Sequence, residues 1–190
     1  MNYKNYKYKN KSSERRKLSS VDLHEKRIIY LNGEIDDKIA KEVIELLLKM
    51  DSINHKDITL YINSSGGLVS SGLAIYDAMN MVKSQVSTVC IGRASSMGCL
   101  LLINGAKNKR FILPNAEVMI HELSGGTFGK LTEMQEHLDH SKSLNSRLMK
   151  IIVENTNLNW KQVKDSTVNK DKWFNAHEAK KYGIVDKILV

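Results

Sequence analysis

Between Arg27 and His121 the chain alternates short β-branched runs with helical stripes, and this alternation restricts the fold more than any other feature. Arg27 to Leu31 reads as a strand ending at Asn32-Gly33. Asp36 and Asp37 then stand at the positive end of a helix whose stripe is Ile39, Ala40, Val43, Ile44, Leu47 and Leu48. Asp57 to Asn63 is a second strand, stopping at Ser64-Ser65-Gly66-Gly67, and Leu73, Ala74, Tyr76, Asp77, Ala78 and Val82 carry the next helix. Val86 to Ile91 is a third strand. Ser96 to Asn104 is a short, almost wholly apolar helix, which calls for burial on all sides. Arg110 to Leu113, closed by the only proline, Pro114, and Glu117 to His121 add two strands. Parallel strands need crossovers, so the expected fold is α/β with a mainly parallel sheet covered by helices.

The last third departs from this rhythm. From Lys130 to Glu154 there is no Gly or Pro, and Leu131, Met134, Leu138, Leu144, Leu148, Ile151 and Ile152 recur at helical spacing. The pattern predicts one long helix over about residues 128–154, more than twice the ~11–12 residues of an average helix. Such a helix either lies across its own sheet or projects beyond the body. The body already has helices enough, so projection toward another chain is the expectation. A short helix from Trp160 to Asp165, another from Ala176 to Tyr182 and a strand from Ile184 to Val190 complete the reading.

Charge separates the chain into two parts. The net charge is +8, but residues 1–17 hold seven Lys or Arg against one Glu, leaving only +2 for the rest. Residues 1–20 read as a basic flexible segment and 21–190 as a single domain. A near-neutral body argues against nucleic acid, and no apolar run approaches the ~20 residues of a membrane span. Cys90 and Cys99 lie in apolar segments without partner spacing, which suits buried thiols in a reducing compartment and a cytoplasmic location. A targeting remnant at the N-terminus would instead mean an organelle stroma or matrix. His137 and His140 lack a third ligand, so neither metal nor cofactor is expected. Gly125-Gly126-Thr127-Phe128-Gly129-Lys130-Leu131 fails as a phosphate loop, because its glycine spacing is wrong and no Ser or Thr follows the lysine.

Chemistry concentrates at two turns and a strand end. In Ile91-Gly92-Arg93-Ala94-Ser95-Ser96-Met97-Gly98, Ser96 opens the apolar helix, where its own amide and that of Met97 lack intrahelical partners. Two readings stand: a serine capping the helix, or a nucleophile. His121 ends a strand at the edge where parallel sheets carry their sites, and it supplies a candidate general base. The Gly66-Gly67 turn repeats the strand-to-helix geometry, so the amides of Gly67 and Met97 are candidate oxyanion donors, worth ~2.7–4 kcal/mol each in acyl transfer.

The stretches YINSSGGLVSSGLAIYDAM, STVCIGRASSMGCLLLINGAKNKRFILPNAEVMIH and FNAHEAKKYGIVDKIL resemble the proteolytic subunits of the Clp protease, the ClpP family, over roughly residues 23–190. The resemblance implies the ClpP/crotonase fold, a spiral of β-α-β units with a projecting handle helix. It also implies a barrel of two stacked heptameric rings, fed with unfolded polypeptide by an AAA+ Clp ATPase. Carried over residue by residue, it makes Ser96 the nucleophile, His121 the base and Asp171 the group that orients the histidine, with Gly67 and Met97 as the oxyanion donors. Gly66, Leu68, Val69, Glu122 and Leu123 would bind substrate, and Tyr61, Phe111 and Leu189 match apolar docking positions for the ATPase.

The chain departs from that family's pattern in several places. Glu122-Leu123 stands for Gln-Pro, Ser64-Ser65 for Ser-Pro, and Asn169-Lys170 for an acid followed by arginine. One extra residue lies between Gln162 and Asp171, and the family's N-terminal segment is not recognisable before Asp22-Leu23. The implied activity is that of a serine endopeptidase. The alternatives are a divergent paralogue acting in mixed rings with a second ClpP subunit, a non-catalytic scaffold subunit, or an acyl-CoA hydratase or isomerase of the same superfamily.

Overall fold

A computed structural model describes residues 23–190, so the expectation for the basic segment, residues 1–20, lies outside the described residues. The strands are β1 (Ile28–Ile35), β2 (Ile58–Gly67), β3 (Val86–Ser95), β4 (Arg110–Ile112), β5 (Glu117–Ile120), β6 (Lys172–Asn175) and β7 (Lys187–Ile188). The helices are α1 (Asp37–Ile53), α2 (Val69–Met81), α3 (Met97–Ile103), α4 (Leu131–Asn155), α5 (Trp160–Thr167) and α6 (Ala176–Lys181). The sheet runs β1-β2-β3-β4-β7, all neighbours parallel. The mainly parallel α/β expectation holds.

Strand β3 has two partners in succession. Thr88–Cys90 pair with β4, and Arg93–Ser95 pair with β5. Between them Gly92 takes φ 73°, a conformation that suits glycine and lets the strand bend without ending. Register shifts interrupt β1–β2 between Asn32 and Glu34 and β2–β3 between Ile62 and Ser64. An amide chain crosses the bend: Asn63 donates to Asn32 Oδ1 at 2.8 Å and its own Oδ1 accepts from the Arg93 N–H at 3.3 Å. The expected strand ends at Gly33, Asn63 and Ile91 are therefore bends, and all three strands continue to Ile35, Gly67 and Ser95. Gly and Ser look like stops in sequence, but pairing with neighbours carries the chain through them. Strand β6, antiparallel to β5, has no counterpart in the sequence reading. The last strand shrinks to Lys187–Ile188.

All seven residues of α3 are buried, and this helix packs against β2, β3 and α2 at the centre of the molecule. Apolar side chains of Leu31, Ile35, Leu60, Ile62, Leu101 and Phe174 fill the core around it. Burial pushes the Cys90 thiol up to about 12 and the Cys99 thiol upward as well, so both are inert. Helix α4 behaves differently. Its first ten residues are exposed, and it buries only Leu148, Met149 and Ile152. Leu131 is 84% exposed, so the N-terminal half stands clear of the body, starting three residues later than the sequence reading placed it.

The C-terminal end of α1 is held by side chains from elsewhere. Arg27 donates to the carbonyls of Met50 and Lys56 at 2.7 Å and to Ser84 Oγ at 2.9 Å. Ser84 in turn donates its hydroxyl and its backbone N–H to Asp51 Oδ1, both at 2.8 Å. The Ser84 hydroxyl, joined by that N–H and by His55, holds the Asp51 carboxyl well below the usual carboxylate range. A depressed folded-state pKa means a contribution that is full above the unfolded value and lost as pH falls below it. Asp51→Asn should therefore lower the urea midpoint at pH 7, and the gap from wild type should close as pH falls below about 4. Urea titrations at several pH values check both parts.

Candidate active site

Ser96 occupies the step from β3 into α3 with φ 54° and ψ −121°, a backbone conformation that is costly for any residue bearing a side chain. Its neighbours hold it there. The Ser96 N–H donates to Met119 O of β5 at 2.9 Å, and its carbonyl accepts from the Cys99 and Leu100 amides at 2.9 and 3.3 Å. This amide has no partner inside the helix, as expected, but pairing with β5 occupies it and turns it from the site. The Met97 amide, at the first position of α3, has no partner inside the helix.

Ser96 makes no side-chain cap; its Oγ lies 2.8 Å from His121 Nε2. Half-buried, His121 immediately follows β5, whose Met119 fixes the Ser96 backbone. One strand thus positions both groups. Strain at Ser96 aims the hydroxyl away from the helix and toward the imidazole, a geometry that strand–turn–helix elbows of α/β-hydrolases also use.

Gly67 closes the wall on the other side. It pairs with Ile35 at the end of β2, at φ 152°, and a Cβ there would lie 2.2 Å from Ile35 O. Only glycine fits, so the backbone itself faces the site. Gly66 packs against Ser96, where a Cβ would come within 2.6 Å of Ser96 Cβ. Gly67, Ser96, Met97 and His121 all line one cleft. Val69, Leu100, Ile120, Leu148, Met149 and Ile152 give it an apolar wall, and Glu122 and Leu123 line it as well. The Leu123 N–H donates to Asn145 Oδ1 of α4 at 3.0 Å, which anchors the segment after the histidine. Leu68 is exposed and lies outside the lining.

The β5–β6 ladder pairs Met119 with Trp173 and ends at Ile120 with Lys172, so His121 and Asp171 are each the next residue beyond that last pair. Its side chain is exposed, outside the cleft lining, and among the described residues it makes no hydrogen bond to His121. Tyr61 and Phe111 lie on either side of Val89 in one row across β2, β3 and β4, and Leu189 follows β7, with its N–H on Ile112 O.

Asn145 and Thr167 line the cleft although the sequence reading named neither. Each sits on a helix remote in sequence from the serine, with no local motif to betray it. Ser95 is a further surprise: it is 2% exposed and its hydroxyl has no hydrogen-bond partner among the described residues. Among the same residues no group of three or more His, Cys, Asp or Glu could hold a metal.

A serine hydroxyl on an imidazole, beside a helix-start amide and an apolar cleft, can carry out nucleophilic acyl transfer. The site therefore has the make-up of a hydrolase of that type. The family model described as Clp protease matches residues 11–190, nearly the whole chain. The chain belongs to the Clp protease family: it is a ClpP-type peptidase with the ClpP/crotonase fold. The hydratase reading has no support from this match.

Ser95→Ala should raise stability by about 1 kcal/mol, because it deletes a buried polar group that gains nothing from its neighbours. A higher urea midpoint with an unchanged slope is the expected readout.

Proposed function

We propose that this chain is a serine endopeptidase subunit that cleaves unfolded polypeptides by Ser-His-Asp acyl transfer. The observation that carries the reading is the 2.8 Å contact between Ser96 Oγ and His121 Nε2. Ser96 Oγ attacks the scissile carbonyl while His121 takes its proton, and the same histidine returns it to the leaving amine. Asp171, which like His121 lies one residue beyond the last β5–β6 pair, would accept from Nδ1–H and stabilise the imidazolium. Amides of Gly67 and Met97 would receive the oxyanion. An extended substrate would add as a strand between the Gly67–Val69 edge and Glu122-Leu123, with its main chain supplying most of the affinity. The apolar cleft wall favours an aliphatic or aromatic side chain before the cleaved bond.

Clp proteases work in oligomeric rings with Clp ATPases, and the exposed apolar stripe on α4 supports the same assembly here. Leu131, Met134 and Leu138 are 84%, 37% and 48% exposed on a helix that leaves the body. Covering them by a second ring gives the stripe a purpose. Asn169-Lys170 stands where the family has an acid–arginine pair, which favours mixed rings with a second ClpP subunit over pure ones. The row of Tyr61 and Phe111, with Leu189 nearby, is the proposed contact for the AAA+ partner.

Ser96→Ala should cut hydrolysis of a short fluorogenic peptide by at least about 10³-fold and abolish fluorophosphonate labelling. Wild-type cleavage by that variant would end the proposal. Leu138→Glu should shift the native mass toward smaller assemblies while leaving the fold intact by circular dichroism.

A further inference from the structure

Glu122 lines the cleft, and its carboxylate also has a partner in another segment. Its Oε1 accepts a hydrogen bond from the backbone N–H of Asn169 at 3.0 Å. Asn169 takes φ 56° in the turn that leaves α5, and the Lys170 N–H reaches back to Thr167 O at 3.4 Å. Two residues after Asn169 comes Asp171, and then Lys172 joins β5 opposite Ile120. Asp171 therefore lies between two ties, the Glu122–Asn169 bond before it and the Ile120–Lys172 pair after it. Both lead to the same short stretch, Ile120-His121-Glu122, which carries the base. Asp171 is itself exposed and makes no hydrogen bond among the described residues, so its position depends on these ties.

We infer that Glu122 is a positioning residue: its carboxylate latches the Asn169 amide and so keeps Asp171 in register with His121. This rests on the reading of Asp171 as the group that orients the histidine. An ionised carboxylate is the strongest side-chain acceptor available for a backbone N–H, roughly twice as strong as a neutral one. It can hold a left-handed turn that would otherwise relax. With the latch open, the two backbone segments still meet at Lys172, but the turn before Asp171 is free to swing from the imidazole.

The test uses the full chain, in its native assembly, and reads the fluorophosphonate labelling of Ser96 under saturating and subsaturating reagent. Labelling reports activation of the serine in each subunit, whether or not the assembly turns over peptide. Glu122→Ala should slow the maximal labelling rate about tenfold or more with little change in reagent affinity, as expected for a misplaced catalytic partner. Glu122→Gln keeps an acceptor oxygen and should recover most of that loss. In an Asp171→Ala background, Glu122→Ala should add no further loss, because the two act through one step.

A weaker reagent affinity with an unchanged maximal rate would make Glu122 a substrate contact and overturn the latch. So would an undiminished additional loss in the Asp171→Ala background, or failure of Glu122→Gln to recover the rate. Wild-type labelling of Asp171→Ala alone would remove the role of Asp171, and the latch with it, a result distinct from the other three. Native mass of each variant separates these outcomes from loss of assembly.

Discussion

The divided pairing of β3 is the constraint on which the site depends. The first half of the strand hydrogen-bonds to β4 and the second half to β5, with Gly92 at the bend. Had β3 stayed straight, β4 would have been its partner throughout, and His121 would have had no reason to lie near Ser96. Because β5 replaces β4, Met119 O receives the Ser96 amide and His121 follows two residues later. A single change of partner brings Ser96 and His121 into contact. The strained Ser96 backbone is tolerable because β5 holds its amide and α3 holds its carbonyl.

The same arrangement explains the buried central helix. Leu100, Leu101, Leu102 and Ile103 are at most 5% exposed, and burying each side chain contributes roughly 1.5–3 kcal/mol. That burial fixes the first turn of α3, and with it the Met97 amide. Core packing and the geometry of the cleft are thus one structure viewed from two sides. Helix α4 divides its duties along its length. Its C-terminal half supplies Asn145, Leu148, Met149 and Ile152 to the cleft, while its N-terminal half leaves the body with apolar side chains exposed. Any change in how the free half is covered would act on a helix that also shapes the substrate cleft.

Much of this was legible in the chain itself. β-Branched runs and helical stripes have distinct periods, so most elements, the parallel sheet and the long helix could be read directly. The turns at Gly67 and Ser96, the helix start at Met97 and the strand end before His121 were legible too, because a strained turn and a helix start require small residues and serine at particular places. The bends were not. Gly33, Asn63 and Gly92 look like strand ends, since a bulge and a turn use the same residues and only the neighbouring strand distinguishes them. Strand β6 escaped because Lys172-Trp173-Phe174-Asn175 is too short for a periodic signal and becomes a strand by pairing with β5. Asn145 and Thr167 escaped for a similar reason, as helical residues whose place in the cleft depends on packing.

Residue order alone determined the α/β class, the serine at a helix start, the histidine at a strand end and the glycine whose missing side chain admits a backbone close by. These follow from local sterics and periodicity, which act within a few residues. Tertiary structure decided which strand β3 would pair with after its bend, that the Ser96 hydroxyl would meet His121 instead of capping α3, and that Glu122 would reach the turn before Asp171. Those outcomes depend on hydrogen bonds between segments 23 to 47 residues apart, and the energy of such a bond exists only once the sheet has brought its two ends together.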